Sequence, residues 1–109
     1  MDAFEISELL ARRAAGGSPY LEFIRVPALS VGVYTLAAGA VDGQQPHTED
    51  EIYYVVQGRG AIRVGEEDRP VGPGSVVYVA AGVDHRFHSI VEELTVLVVF
   101  APAEGSLRA

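Results

Sequence analysis

The sequence contains no cysteine and no lysine. Without cysteine there are no disulfides, no thiol nucleophile and no thiolate metal site, and thiol usage says nothing about the compartment. Without lysine there is no Schiff-base chemistry and no phosphate-loop lysine. Every basic side chain is an arginine, and the 8 of them face 15 Asp and Glu for a formal net charge of -7. A surface of that sign repels phosphate backbones and anionic lipid, so neither nucleic acid nor a membrane surface is an expected partner. The opening residues Met1-Asp2-Ala3-Phe4-Glu5 are acidic and offer no basic and apolar leader pattern, from which a cytoplasmic protein is expected.

What is present is a chain of 109 residues, 49% hydrophobic and 21% charged, with 12 Gly and 6 Pro. That is enough for one domain with its own core, and the frequent turn-formers favour short strands over long helices. Ile6, Leu9, Leu10 and Ala14 share a helical face, so a short helix is expected over residues 4 to 15, with Asp2 or Ser7 as cap and Gly16-Gly17 as stop. From Tyr20 the pattern turns to strands: 20–26, a break at Pro27, and 30–36, then a loop from Gly39 to Pro46. Further strand segments are read at 52–56, stopped by Gly58, at 60–64, at 69–71, at 75–79, at 84–90 and, as an apolar run buried on both faces, at 95–100. Seven or eight short strands punctuated by Gly and Pro predict an all-β sandwich or barrel. The expected layout is a helical segment over 1–17, a barrel over 18–102 and a frayed tail over 103–109.

The chemistry concentrates in Gln45 to Gly58, where ligand-type side chains run into a strand signal. In an extended chain alternate residues share a face, which would bring the Gln45 amide, the His47 imidazole and the Glu51 carboxylate together. Glu49, on the same parity, is expected to reach solvent. Tyr53 continues the Glu51 face inward and Tyr54 points away. His88, an odd number of residues from His85, belongs to the other face of its strand. No Ser-His-Asp arrangement is visible.

This segment resembles the first motif of the cupin superfamily, a glycine followed by His-x-His, Glu and Gly: Gly39 opens it, Gln45 stands at the first His, His47 at the second, then Glu51 and Gly58. A second cupin motif is matched by Gly74, Gly82 and His85, with Ala80 at the Pro and Ser89 at the Asn. The resemblance implies a jelly-roll β-barrel, here with a short N-terminal helix. It implies His47, Glu51 and His85 as ligands of one divalent ion (Zn, Fe, Mn or Ni), with Gln45 as a fourth ligand, and Tyr53 and Phe87 as walls of a pocket for a small molecule. Two histidines and a carboxylate leave coordination positions open, which suits a metal-dependent oxygenase, isomerase or lyase. The other class the sequence admits is a non-catalytic barrel that binds or senses a small ligand. The family's habit of pairing through edge strands makes a homodimer the expected assembly.

Overall fold

The computed structural model describes residues 1–107. It contains one helix, α1 (Ile6–Gly16), and the strands β1 (Tyr20–Val26), β2 (Leu29–Leu36), β3 (Asp50–Val64), β4 (Glu67–Val71), β5 (Val76–Val79) and β6 (His85–Ala101). They form one antiparallel sheet in the order β1-β2-β6-β3-β4, with β5 on the other edge of the first half of β3. The sheet curls on itself as a jelly-roll barrel. None of the described helices is long and apolar enough to cross a membrane.

Glu5 is the N-cap of helix α1 and makes no side-chain cap, so neither Asp2 nor Ser7 has the expected role. Gly17 closes it in the left-handed region at φ 79°, where glycine carries no Cβ penalty. Leu9 is its buried residue, and the helix lies against β1 and β2. β1 and β2 form the hairpin expected around Pro27, in register from Tyr20 opposite Tyr34 to Val26 opposite Leu29.

The strand count is lower than the sequence suggests because Gly58 does not stop a strand. β3 runs through it for 15 residues, and β6 likewise runs for 17 residues through what reads as two segments. The two long strands pair with each other from Asp50 opposite Ala101 to Val64 opposite His85. Their register shifts between Val55 and Ala61, and Ser89 takes φ 51° on the β6 side. Such bulges bend a ribbon without ending it. Gly58 sits in this bend at φ 94°, and a Cβ there would overlap the Glu93 carbonyl oxygen and stand 2.6 Å from Leu94 Cα.

Inside the curl, alternation does the sorting. Along the first half of β3, Glu51, Tyr53 and Val55 are buried while Asp50, Ile52 and Tyr54 are exposed. Tyr53, Val55, Ile62, Phe87, Leu94, Val96, Val98 and Phe100 make the core. The segment after Pro102 is not frayed as far as Leu107: Ala103 is buried, and backbone groups of Ala103 and Glu104 bond to Pro27 and Ser30. The remainder of the expected tail lies outside the described residues.

Because the Gly58 bend combines a left-handed φ with backbone contact, Gly58→Ala is expected to cost about 2–4 kcal/mol of unfolding free energy. Denaturant unfolding followed by circular dichroism measures it; an unchanged midpoint would show that the bend tolerates a side chain.

Candidate functional site

Three segments converge at one end of the barrel. His47 ends the loop before β3 and is pinned by its own carbonyl, which accepts the Gly82 N–H at 2.7 Å. Glu51 points inward from β3, and His85 is the inward-facing first residue of β6. Ligand atoms of His47, Glu51 and His85 all lie within 4.8 Å of one another. His85 Nε2 is 3.0 Å from Glu51 Oε1, and His47 Nε2 is 4.0 Å from the same oxygen.

Protonation can be assigned from the surroundings. His85 Nδ1 lies 2.9 Å from the Val83 carbonyl, an acceptor only, so Nδ1 carries the proton and Nε2 turns toward Glu51. Burial pushes the His85 pKa down, but the Glu51 carboxylate and the Val83 carbonyl outweigh it, and the net direction is up. Although His85 and Glu51 approach closely, they do so off hydrogen-bond geometry: both Glu51 oxygens and His85 Nε2 are buried with no hydrogen-bond partner. A buried carboxylate whose oxygens make no hydrogen bonds is costly unless a positive charge stands beside it. His47 Nδ1 is also buried without a hydrogen bond, and its nearest charged neighbour is Glu104 Oε2 at 3.6 Å. A carboxylate behind a ligating histidine is the usual means of fixing its tautomer and orientation. The set of two imidazoles and one carboxylate, with both Nε2 atoms and Glu51 facing one point, fits a divalent metal ion.

The four-residue parity expected from Gln45 to Glu51 fails. β3 begins only at Asp50, so residues 45 to 49 do not alternate as a strand. Gln45 is exposed and is not among the residues lining the cavity beside the cluster. Its neighbour Gln44 faces the site instead: Gln44 Oε1 accepts the Tyr53 hydroxyl at 2.9 Å and stands 3.4 Å from His47 Nε2. Glu49, expected in solvent, is 1% exposed and accepts the backbone N–H of Gly105 at 2.9 Å and of Leu107 at 3.4 Å. By tying down that turn it helps carry Glu104 to His47. His88 is on the outer side, as its parity suggests, with Nε2 2.9 Å from Asp68.

Asp42 was not legible as a functional residue, yet it organises the loop. It is 5% exposed. Its Oδ1 accepts the Tyr34 hydroxyl at 2.9 Å, and its Oδ2 accepts the Gln44 amide at 2.7 Å and the Phe87 N–H at 2.8 Å. Because the Gln44 NH2 is thus committed to a carboxylate, its oxygen must face Tyr53 and His47. The only sequence signal was the Asp42-Gly43 pair, which reads equally well as an ordinary turn.

A cavity of about 180 Å³ opens beside the cluster, bounded by Tyr20 and Tyr34 from the first hairpin, Gln44 and His47 from the loop, Glu51, Val98 and Phe100 from the central strands, and Glu104 from the C-terminal turn. Among the described residues no arginine lines it. Tyr53 reaches the site through its hydroxyl, but its ring is fully buried, packed on Phe87 at 4.9 Å and near His85 at 6.0 Å. Phe87 therefore stands behind Tyr53 and is not part of the cavity wall. Burial is the main cause that raises the hydroxyl pKa values of Tyr20, Tyr34 and Tyr53, so all three are protonated donors near neutrality.

Asp42→Ala would leave the Phe87 N–H and the Tyr34 hydroxyl without their acceptor. A loss of roughly 2–4 kcal/mol in stability is expected, measured by thermal and denaturant unfolding; a loss below about 0.5 kcal/mol would mean that the loop is not held this way.

Comparison with known proteins agrees with this geometry. Residues 32–100 match the family described as Cupin domain. The uncharacterized protein SCO3923 of Streptomyces coelicolor is 57% identical over 105 residues, covering 96% of this chain and 100% of that protein. Among solved structures, TT1209 of Thermus thermophilus is similar at 25% identity, over 94% of this chain and 99% of that one, with a TM-score of 0.76. The DMSP lyase DddQ of Ruegeria pomeroyi is also 25% identical, over 77% of this chain but 42% of its own length, with a TM-score of 0.67. With a family match over most of its length, two long bulged strands curled into a jelly roll, and His47, Glu51 and His85 gathered at one end, this chain belongs to the cupin family.

Proposed function

We propose that this protein is a metal-dependent cupin that binds, and acts on, a small molecule in the cavity beside His47, Glu51 and His85. The observation that carries the reading is the convergence of those ligand atoms within 4.8 Å, with Glu51 and His85 Nε2 buried against each other and otherwise without hydrogen bonds. His47 Nε2, a Glu51 oxygen and His85 Nε2 would hold the ion, with Gln44 rather than Gln45 as the nearby amide. When bound, a divalent ion supplies a Lewis acid for a ligand oxygen. The chain's own residues do the rest. Asp42 and Gln44 fix the loop that carries His47, Val83 sets the tautomer of His85, and Val98 and Phe100 give the cavity an apolar wall. Oxygenase, isomerase and lyase chemistry all fit such a site, and similarity to a DMSP lyase supports the last as one member of that set. The homodimer belongs to the same reading. The outward cross-strand pairs Ile52–Tyr78 and Tyr54–Val76 present an exposed apolar face that a second copy would cover.

The test is elemental analysis of untagged protein prepared without chelator, with His47→Ala and Glu104→Ala beside it. About one transition-metal ion per chain is expected in the native protein and none in His47→Ala. Glu104→Ala should still bind, with affinity reduced roughly 10- to 100-fold as for the loss of a ligand's supporting carboxylate. A native protein that takes up no metal even after incubation with zinc, iron, manganese and nickel would return the choice to a metal-free ligand-binding barrel. For the assembly, sedimentation showing only monomer at micromolar concentration would exclude the dimer.

A further inference from the structure

The Tyr20 hydroxyl is the one cavity group whose position the ligand cluster does not explain. Its oxygen is buried and has no hydrogen-bond partner among the described residues. It lines the same cavity as His47, Glu51 and Glu104. Its ring also occupies space that only a glycine leaves open. Tyr20 stands at the start of β1, and its ring crosses β2 over Gly32, where a Cβ would overlap the ring's Cζ and Oη and come within 2.5 Å of Cε1. Any other residue at position 32 would push the ring away. The Tyr34 ring braces it edge-on, with centroids 6.3 Å apart. A glycine inside a strand weakens pairing and typically marks such a close approach. Here the approach is of an aromatic side chain that lines the cavity, its buried hydroxyl resting over Gly32. Tyr34 is engaged with Asp42 and Tyr53 with Gln44, so the hydroxyl of Tyr20 is the one of the three left to meet a ligand.

We propose that Tyr20 is a ligand-binding residue, placed by Gly32 to donate a hydrogen bond to a second oxygen of a small oxygen-bearing molecule whose first oxygen meets the metal position. The apolar wall of Val98 and Phe100 and the lack of a lining arginine among the described residues favour a compact ligand that carries at most one negative charge, such as a hydroxamate, an enolate or a hydroxy-ketone. This assignment rests on the metal-site reading above, and its test separates the two.

Cobalt(II) is added to native protein, Tyr20→Phe and Gly32→Ala, and its visible spectrum reports binding of the metal and then of acetohydroxamate, a small ligand with two oxygen donors. The three proteins should take up cobalt alike, because neither Tyr20 nor Gly32 supplies one of the proposed ligands. Acetohydroxamate should bind native protein and bind Tyr20→Phe roughly five- to tenfold more weakly, the usual effect of one lost neutral hydrogen bond. Gly32→Ala should show the same loss with Tyr20 intact, an effect that mere structural support from the hydroxyl would not produce. Equal acetohydroxamate affinity in native protein and Tyr20→Phe would overturn the assignment while leaving the metal site standing, and so would a native protein that takes up cobalt yet ignores the probe. Failure of all three proteins to bind cobalt would remove the metal reading itself and this assignment with it.

Discussion

The site depends on the bend in the β3–β6 ribbon. In register, His85 lies opposite Val64, thirteen positions along β3 from Glu51. On a straight ribbon that is a separation of roughly 40 Å at the rise of an extended strand. In the folded chain the two side chains are 3.0 Å apart. The register shifts between Val55 and Ala61, the left-handed Gly58 and the left-handed Ser89 turn the ribbon back on itself, and only then do the two ends face each other across the interior. Everything gathered at that end, the loop carrying His47 and the turn carrying Glu104 included, is referred to a curvature set by residues that contribute no chemistry.

The polar network at the site is hierarchical. Asp42 is buried, accepts from three different segments, and so joins the β2 tyrosine, the loop glutamine and the β6 backbone in one arrangement. Its grip on Gln44 decides which end of that amide meets Tyr53 and His47. Glu49 does the corresponding work on the opposite side by holding Gly105 and Leu107, which brings Glu104 to His47 Nδ1. The acidic excess of the composition is therefore not all solvated surface. Three of the carboxylates, Asp42, Glu49 and Glu51, lie inside, two of them as scaffold and one at the centre of the cluster.

His47, Glu51 and His85 were legible because motif spacing survives any reading of where strands begin. Gln45 is exposed because its expected direction needed alternation, and alternation holds only inside β3, which starts at Asp50. Gln44, Asp42 and Glu104 left no periodic trace, being loop and turn residues whose burial depends on what packs over them. Phe87 was placed on the correct face but at the wrong depth, since parity gives the side of a sheet and not the layer behind another ring. The strand breaks read at Gly58 and near Ile90 were bends, because a glycine or a polar run marks a departure from flatness without saying whether the ladder continues across it.

By itself the sequence determined the class of the fold, the inward face of the Glu51 and His85 segments, the absence of thiol and lysine chemistry and, through the spacing it shares with the cupin motifs, the three residues able to act as metal ligands. The first three follow from local steric preference and side-chain chemistry, and the last from resemblance. The tertiary structure alone decided that the ends of the central ribbon meet, that Glu51 and His85 Nε2 are buried without hydrogen-bond partners, that Gln44 faces His47 and Tyr53 while Gln45 is exposed, and that Gly32 makes room for Tyr20 at the cavity. Those are relations between residues far apart in the chain, fixed by how a bulged sheet curls and by what each buried polar atom finds beside it, and no local pattern encodes them.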